Sequence, residues 1–319
     1  MSITKQIELS PVKYVFIFCA VVLAVASSRP LAAQEIVIAF QNTLSPSTTL
    51  DGTARTKMLI RNMARADVKQ AMFLIRTKTI TPNTLERMMY YDETGQLLVN
   101  AGHSYSALHA PKNFGFPIDI MKANAALSDY ENYHKHVFFP YLYDGKNAEL
   151  LEQLRNYLTE HSYSPTYVTT RVHDEYMNRL YHERMVTGRS VDIRQLEKAY
   201  TKMIVDAVTA YDAKARTILG FSPRQVLLLD ENDIAAYCIV GAIDALLAKG
   251  FKVISPQKVF NDPVMNPFFS SGFSAVSYMP FITGIADSEY EWNPVANKKD
   301  ETEVQNYLIE QGLQSLLPQ

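Results

Sequence analysis

The sequence predicts an α/β fold built on a parallel sheet, either curled into a barrel or left open. Strand-like apolar runs alternate with helical stretches along most of the chain, the pattern of a parallel sheet with crossover helices. The 319 residues are 47% hydrophobic and 11% aromatic, the balance of a globular chain with a sizeable core rather than of a disordered or collagen-like one. The length suits one large α/β unit as well as two small domains. With 31 Lys and Arg against 33 Asp and Glu, the chain has no basic footprint for neutralising phosphates, which excludes nucleic acid as a partner.

Residues 1–33 read as a secretory signal peptide. Lys5 and Lys13 precede the apolar run 14–26, and small residues follow up to Ala33, the expected order of charge, apolar segment and cleavage site. The run is short of the roughly 20 residues that span a bilayer as a helix. Cys19 lies inside it behind Phe16, Ile17 and Phe18, without the small residues of a lipidation signal. The mature chain is expected to start near Gln34, to lack a membrane span, and to be periplasmic or secreted. Cys238 is then its sole cysteine, so neither an internal disulfide nor a cysteine metal cluster can form. It sits in an apolar helical stretch and reads as a buried, inert thiol.

Residues 35–40 form the first strand, an apolar run bounded by turn residues. A helix follows the loop 41–52. Residues 70–75 make the second strand, Pro82 opens the helix 83–91, and 97–102 form the third strand. Residues 118–127 are helical, 137–140 strand-like, 147–161 helical and 167–172 strand-like. From 190 to 219 the pattern is a long helix with Ile193, Leu196, Tyr200, Ile204 and Val208 on one face. A buried strand at 226–229, a helix at 234–249 and a strand at 251–255 close the series. Beyond about Asn261 the chain is aromatic and irregular, and the helical pattern 301–317 reads as a cap within a C-terminal segment 291–319.

Chemistry in such folds sits just after the strands. Those positions here hold Phe40-Gln41-Asn42, His103-Ser104-Tyr105-Ser106-Ala107, Phe138-Phe139-Pro140-Tyr141, Val168-Thr169-Thr170-Arg171 and Leu228-Leu229-Asp230. In order and spacing they resemble the motifs of the polysaccharide deacetylases, the carbohydrate esterase family 4 or NodB-homology proteins. Phe40, the His-Ser-Tyr-Ser run, Pro140-Tyr141-Leu142 with Gly145, and the Ile254-Ser255-Pro256 and Asp262-Pro263 ending carry the resemblance, which covers residues 36–263. It implies a distorted (β/α) barrel of about seven units over residues 34–290, a groove for an N-acetylated glycan, and a zinc or other divalent metal.

The departures from that pattern bear on activity. The family's catalytic base corresponds to Gln41, an amide that cannot take up a proton near neutral pH. Its metal-binding Asp corresponds to Asn42, a far weaker partner for a cation. His103 is the one retained ligand-type residue, because Ala107 stands where a second His is expected. Phe138 replaces the Arg that orients the base. Asp230 replaces the late His that protonates the leaving amine, and Arg171 replaces the Asp that orients that His. The expectation is therefore no catalytic residue, no bound metal and no cofactor, with His103, Tyr105, Tyr141 and Asn42 left to contact a ligand. Arg171 and Asp230 are expected to face each other near Gln41 and His103, with a contact of about 3 Å.

Other polar groups have plainer readings. His109 lies six residues after His103, outside reach on one helix face. His134 and His136 read as surface histidines. His173-Asp174-Glu175 and His182-Glu183, on the loop expected after the Arg171 strand, read as solvated contacts and caps. Asp230-Glu231-Asn232-Asp233 reads as a helix N-terminus, where acids meet the dipole favourably. Tyr105, Phe139, Tyr141, Tyr143, Tyr176 and Tyr181 fall near the mouth; packing of the barrel explains them more simply than sugar contact, although aromatic faces suit both. Three functions follow: an inactive deacetylase-like protein that binds a glycan or a cell-envelope partner, an active carbohydrate deacetylase with a rebuilt site, or a structural barrel.

Overall fold

The computed structural model of the chain describes residues 34–104, 115–138, 148–260, 262 and 298–318. In chain order the strands are β1 (Gln34–Gln41), β2 (Met72–Ile75), β3 (Leu97–Asn100), β4 (Tyr133–Val137), β5 (Ser164–Pro165), β6 (Thr170–Arg171), β7 (Gln225–Asp230) and β8 (Phe251–Val253). The helices are α1 (Gly52–Arg65), α2 (Leu85–Glu93), α3 (Phe116–Leu127), α4 (Ala148–Glu160), α5 (Asp174–Val186), α6 (Ile193–Leu219), α7 (Asp233–Ala248), α8 (Gln257–Phe260) and α9 (Lys298–Glu310).

The strands join in one sheet in the order β5-β4-β3-β2-β1-β7-β6, and β8 pairs with the first residues of β1. Every pairing is parallel. The order decides between open sheet and barrel. Seven strands laid flat would hold the outer two about 29 Å apart, yet β5 and β6 are consecutive in the chain and joined by Thr166 to Thr169. Five residue steps reach about 18 Å at most. The sheet therefore curls until its rims approach, giving a distorted (β/α) barrel.

Side chains alternate across the curled sheet, as the two-residue strand period requires. Ile36, Ile38, Phe40, Phe73, Ile75, Leu227 and Leu229 face outward into the main hydrophobic cluster, with Leu59 and Met63 of α1, Tyr200 and Ile204 of α6, and Ile239 and Ile243 of α7. Val37, Ala39, Met72, Leu74, Val99, Val226 and Leu228 face the other way and fill the interior with Phe138 and Tyr167. Gln41 and Asp230 continue the inward-facing series to the carboxyl ends of β1 and β7, where they are register partners.

Helix starts are written locally. Asp51 caps α1 by accepting from Thr53 N and Ala54 N at 3.0 and 3.1 Å, Asp192 caps α6, and Asn232 caps α7 by accepting from Ala235 N at 2.8 Å; side-chain oxygens there satisfy amides that have no helical partner. The long α6 matches its apolar spacing, with Leu196, Tyr200, Ile204 and Val208 buried. Cys238 is buried in α7, where loss of solvent pushes its thiol well up from the usual range. Among the described residues no helix is long and apolar enough to cross a membrane.

Several expectations shift. The fourth strand lies at Tyr133–Val137, upstream of 137–140, so β4 carries both His134 and His136. His134 is exposed, as a surface histidine should be, but His136 is buried and stacked on Phe260. Of the strand expected at 167–172 only Thr170–Arg171 is strand, as the short rim β6, and the other rim, β5, lies upstream at Ser164–Pro165. The polar segment from Asp174 is a helix, not a loop: Tyr176, Met177, Leu180 and Tyr181 form a buried stripe on α5. Tyr176 and Tyr181 thus belong to the outer hydrophobic cluster, because their helix turns that face onto the core and away from the mouth. The last helix is Lys298–Glu310 followed by a 3-10 turn, and its Val304 and Leu308 enter the same cluster.

Candidate functional site

The carboxyl ends of β1, β6 and β7 bring together Gln41, Asn42, Arg171, Asp230 and the first turn of α5. Because β1 and β7 are parallel and in register, Gln41 and Asp230 project side by side from the same face. Gln41 Nε2 donates to Asp230 Oδ1 at 2.8 Å and Asn42 Nδ2 donates to Oδ2 at 2.6 Å. Asn42 adopts φ +49, a left-handed conformation that Asn tolerates better than most residues. That turn lets two successive side chains converge on one carboxylate.

Asp174 approaches Asp230 from the α5 side. Its carboxylate accepts from Asp230 N at 3.2 Å and from Asn232 Nδ2 at 3.0 Å, and it is fully buried. Arg171 Nη2 pairs with Glu175 Oε1 at 3.4 Å, and His173 Nδ1 meets the same oxygen at 2.9 Å. His173 Nε2 lies 3.1 Å from Asp300 of α9, which ties the C-terminal helix to this rim. Burial, then repulsion from Glu175, pushes the Asp230 carboxyl up to about 6, against the pull of Arg171, Asn42 and Gln41. Burial and the neighbouring Asp230 and Glu175 raise Asp174 well above the carboxylate range.

The sequence reading sets Arg171 and Asp230 in contact at about 3 Å; in the structure the guanidinium lowers the Asp230 pKa. The carboxylate that Arg171 pairs with at 3.4 Å, however, is that of Glu175, while the Asp230 oxygens face the amides of Gln41 and Asn42. Glu175 sits in the first turn of α5, which opens at Asp174 directly after β6, and so comes within reach of the Arg171 guanidinium. Phe138 fills the barrel interior and is fully buried.

His103 stands apart from this group. Its Nδ1 lies 3.0 Å from Thr77 Oγ1, and its backbone N–H donates to Asp119 at 2.8 Å. Asp119, buried in the first turn of α3, also accepts from Ser104 N and Ser104 Oγ, each at 3.0 Å. Gly102, at φ +82, leaves room for it: a Cβ there would lie 2.3 Å from Asp119 Oδ2. No hydrogen bond or ion pair joins His103 to Gln41, Asn42 or Asp230 among the described residues. Tyr105, Ala107, His109, Phe139, Tyr141 and Tyr143 lie outside the described residues, as do residues 1–33.

The acidic run after β7 does more than open a helix. Asn232 is the cap of α7, as expected, but Glu231 pairs with Arg87 at 2.9 Å and Asp233 with Arg55 at 3.4 Å, all four side chains buried. Glu231 also accepts from the hydroxyls of Tyr91 and Thr56 and from Leu44 N at 3.2 Å. Asp233 Oδ2 accepts from Thr48 Oγ1, Thr49 N and Leu50 N at 2.8, 3.0 and 3.0 Å. These contacts lash the loop after β1 to the β7–α7 turn, and so hold Gln41 and Asn42 in place.

The mouth holds two sets of groups that a cation could meet. The set the resemblance implies does not fit zinc: Asn42 turns its amide nitrogen to Asp230, and Ala107 has no donor atom, which leaves the His103 imidazole as the one strong ligand-type group of the set. Asp174, Glu175 and Asp230 each offer an oxygen, all within 4.8 Å of one another. Such oxygens suit a hard cation, but the guanidinium of Arg171 beside Glu175 opposes a second positive charge.

No family model matches the sequence, and no curated protein matches it. Solved structures with a similar fold include a CE4 esterase from Streptococcus mutans, at 14% identity and TM-score 0.47, covering 73% of this chain and 90% of that one. A CE4 family pseudoenzyme from Bacillus anthracis is 9% identical with TM-score 0.48, over 73% and 67% of the two chains. The peptidoglycan deacetylase PdaC from Bacillus subtilis is 9% identical with TM-score 0.44, over 76% and 98%.

Proposed function

We propose that this is an exported, deacetylase-like protein without deacetylase activity, which binds a glycan or a cell-envelope partner at the mouth of its barrel. The observation that carries the reading is the pair of amides on Asp230. Gln41 and Asn42 occupy the positions where the resembled family has its base and its first metal ligand, and both are spent as donors to one buried carboxylate. An amide donating in this way neither takes a proton from water nor shares an anionic oxygen with a cation. Export rests on the sequence of residues 1–33. The direct test is metal analysis of purified protein together with acetate release from N-acetylated chitooligosaccharides. The expected result is no stoichiometric zinc and no acetate, with oligosaccharide binding that Asn42→Leu weakens. Stoichiometric zinc, with acetate release that His103→Ala abolishes, refutes it.

The oxygen trio of Asp174, Glu175 and Asp230 favours a second reading, a hydrolase rebuilt around a hard cation. Calcium or magnesium retained through dialysis and lost in Asp230→Asn would support that reading instead.

A further inference from the structure

Among the described residues seven large hydrophobic side chains are exposed, and four of them lie on two neighbouring helices: Leu85 (43%) and Met89 (47%) on α2, Ile118 (55%) and Met121 (59%) on α3. Exposed apolar side chains scattered singly need no explanation, but gathered on one face they mark a contact surface. The two helices are neighbours because they follow β2 and β3, which pair in the sheet.

Local contacts show which way each side chain turns. Leu85, Met89 and Asp92, at i, i+4 and i+7, share one stripe of α2. Asp92 accepts from Glu131 N and Asn132 N at 3.1 and 2.7 Å, in the loop after α3, so the stripe is turned toward α3. On α3, Pro117 O and Asn124 Oδ1 accept from the hydroxyls of Tyr157 and Tyr133 at 3.2 and 2.9 Å, which marks the flank toward α4 and β4. Ile118 lies on the other flank, facing α2, with Met121 on the crest. α2 is braced from its far side by α1, where Lys57 pairs with Glu86 at 2.7 Å and sits over the Tyr90 ring. No hydrogen bond, ion pair or ring contact joins α2 to α3 among the described residues, and the apolar side chains between them stay about half exposed. The groove is open to an occupant.

Charge selects which one. Glu93 and Lys122 are exposed, one turn beyond Met89 and Ile118, and neither side chain has a hydrogen bond or ion pair among the described residues. The face therefore sets one uncommitted anion and one uncommitted cation beside an apolar centre. An anionic lipid surface would reward several cations and no anion. A two-fold axis lying in the face and bisecting the line from Glu93 to Lys122 sets each charge against its opposite in a second copy. It also lays the apolar centres together, the isologous arrangement of a symmetric dimer. Met89 and Met121 suit such a contact, since an unbranched thioether adapts to an irregular surface. We propose that the α2–α3 face is the interface of a homodimer, in which Lys122 of each copy meets Glu93 of the other. The proposal rests on this face alone and does not depend on the reading of the barrel mouth.

The test is sedimentation equilibrium of the purified protein and its variants. A reversible dimer is expected, whose dissociation constant rises at least tenfold in Met89→Glu/Ile118→Glu with the circular dichroism of the monomer unchanged. Lys122→Glu and Glu93→Lys should each weaken self-association, because each sets like charges together. Mixing these two single variants in equal amounts should restore it, since unlike copies then offer both opposite pairs, and so should the double variant Lys122→Glu/Glu93→Lys. A protein that stays monomeric at every concentration overturns the proposal, as does a dimer indifferent to Met89→Glu/Ile118→Glu. So does a mixture of the charge variants that associates no better than either alone. Monomer whose Met89 and Met121 methyl resonances shift with anionic vesicles gives the face to a membrane, and monomer with those methyls against another part of its own chain gives it to that segment; both outcomes overturn the dimer.

Discussion

Gln41 and Asp230 are register partners at the ends of two parallel strands, and their side chains meet at 2.8 Å between Nε2 and Oδ1. The contact ties the fold to an acid–base equilibrium. Burial holds the Asp230 carboxyl at about 6, above its ordinary 3.8. A raised folded pKa means that the folded state keeps its proton longer than the unfolded chain, so this group's share of stability is complete below about pH 4 and is lost as pH rises through 6. Asp230→Asn removes that dependence. Between pH 4 and 7 the stability difference, wild type minus variant, is expected to fall by on the order of 2–3 kcal/mol, as measured by urea unfolding. A difference that stays flat over this range contradicts the assignment.

Arg171 pulls the Asp230 pKa down from across the rim. Arg171→Leu should therefore move the Asp230 titration further above 6, and carboxyl-carbon NMR of labelled aspartate would follow it. A midpoint that fails to rise would mean that the guanidinium acts on Glu175 alone.

His136 gives the opposite pH slope. Buried on β4 and stacked on Phe260, it has its pKa lowered to about 4 by burial and then by His134, against a hydrogen bond with Gln257 that raises it. The unfolded chain takes up the proton first, so stability declines as pH falls from about 6.5 towards 4. The loss is expected to approach roughly 3 kcal/mol. His136→Leu should flatten that part of the acid limb, and an unchanged acid limb would show that the ring is not titrating where it packs.

Arg87 and Glu231 form a buried pair at 2.9 Å. Arg87→Met leaves Glu231 charged among Tyr91, Thr56 and Leu44, a loss of about 3–5 kcal/mol. Arg87→Met/Glu231→Leu should cost less than the sum of the two single changes. Additive costs in chemical denaturation would mean that the pair is not coupled.

Gly102 is held at φ +82 beside Asp119. In Gly102→Ala the new Cβ would displace the carboxylate that receives His103 N and Ser104 N, and the left-handed backbone adds strain. The expected destabilisation is about 1–3 kcal/mol, with large amide shift changes at His103 and Ser104. A native-like melt with unshifted amides would refute the role of this contact.

Much of the barrel is legible because its central elements announce themselves locally. β1 and β7 are uninterrupted apolar runs, and α6 repeats its buried face over many turns. Gln41, Asn42 and Asp230 could be singled out because strand ends are where a parallel sheet presents side chains. α5 is masked by a polar opening, although the spacing of Tyr176, Met177, Leu180 and Tyr181 carries a helical signal. Glu175 and Asp119 gain their roles from how the chain turns, the first from the abrupt start of α5 after Arg171 and the second from a return of α3 to Gly102. The pairs Arg87–Glu231 and Arg55–Asp233 join residues 144 and 178 positions apart, and no local pattern announces such partners.

The rims of the curled sheet, β5 and β6, are two residues long each. An exposed strand edge is a template on which other chains can pair, and long flat edges invite aggregation. Here the chain closes its sheet with edges too brief to nucleate such growth. The same brevity that leaves β5 and β6 without a pairing to each other among the described residues therefore guards the sheet against edge-to-edge association.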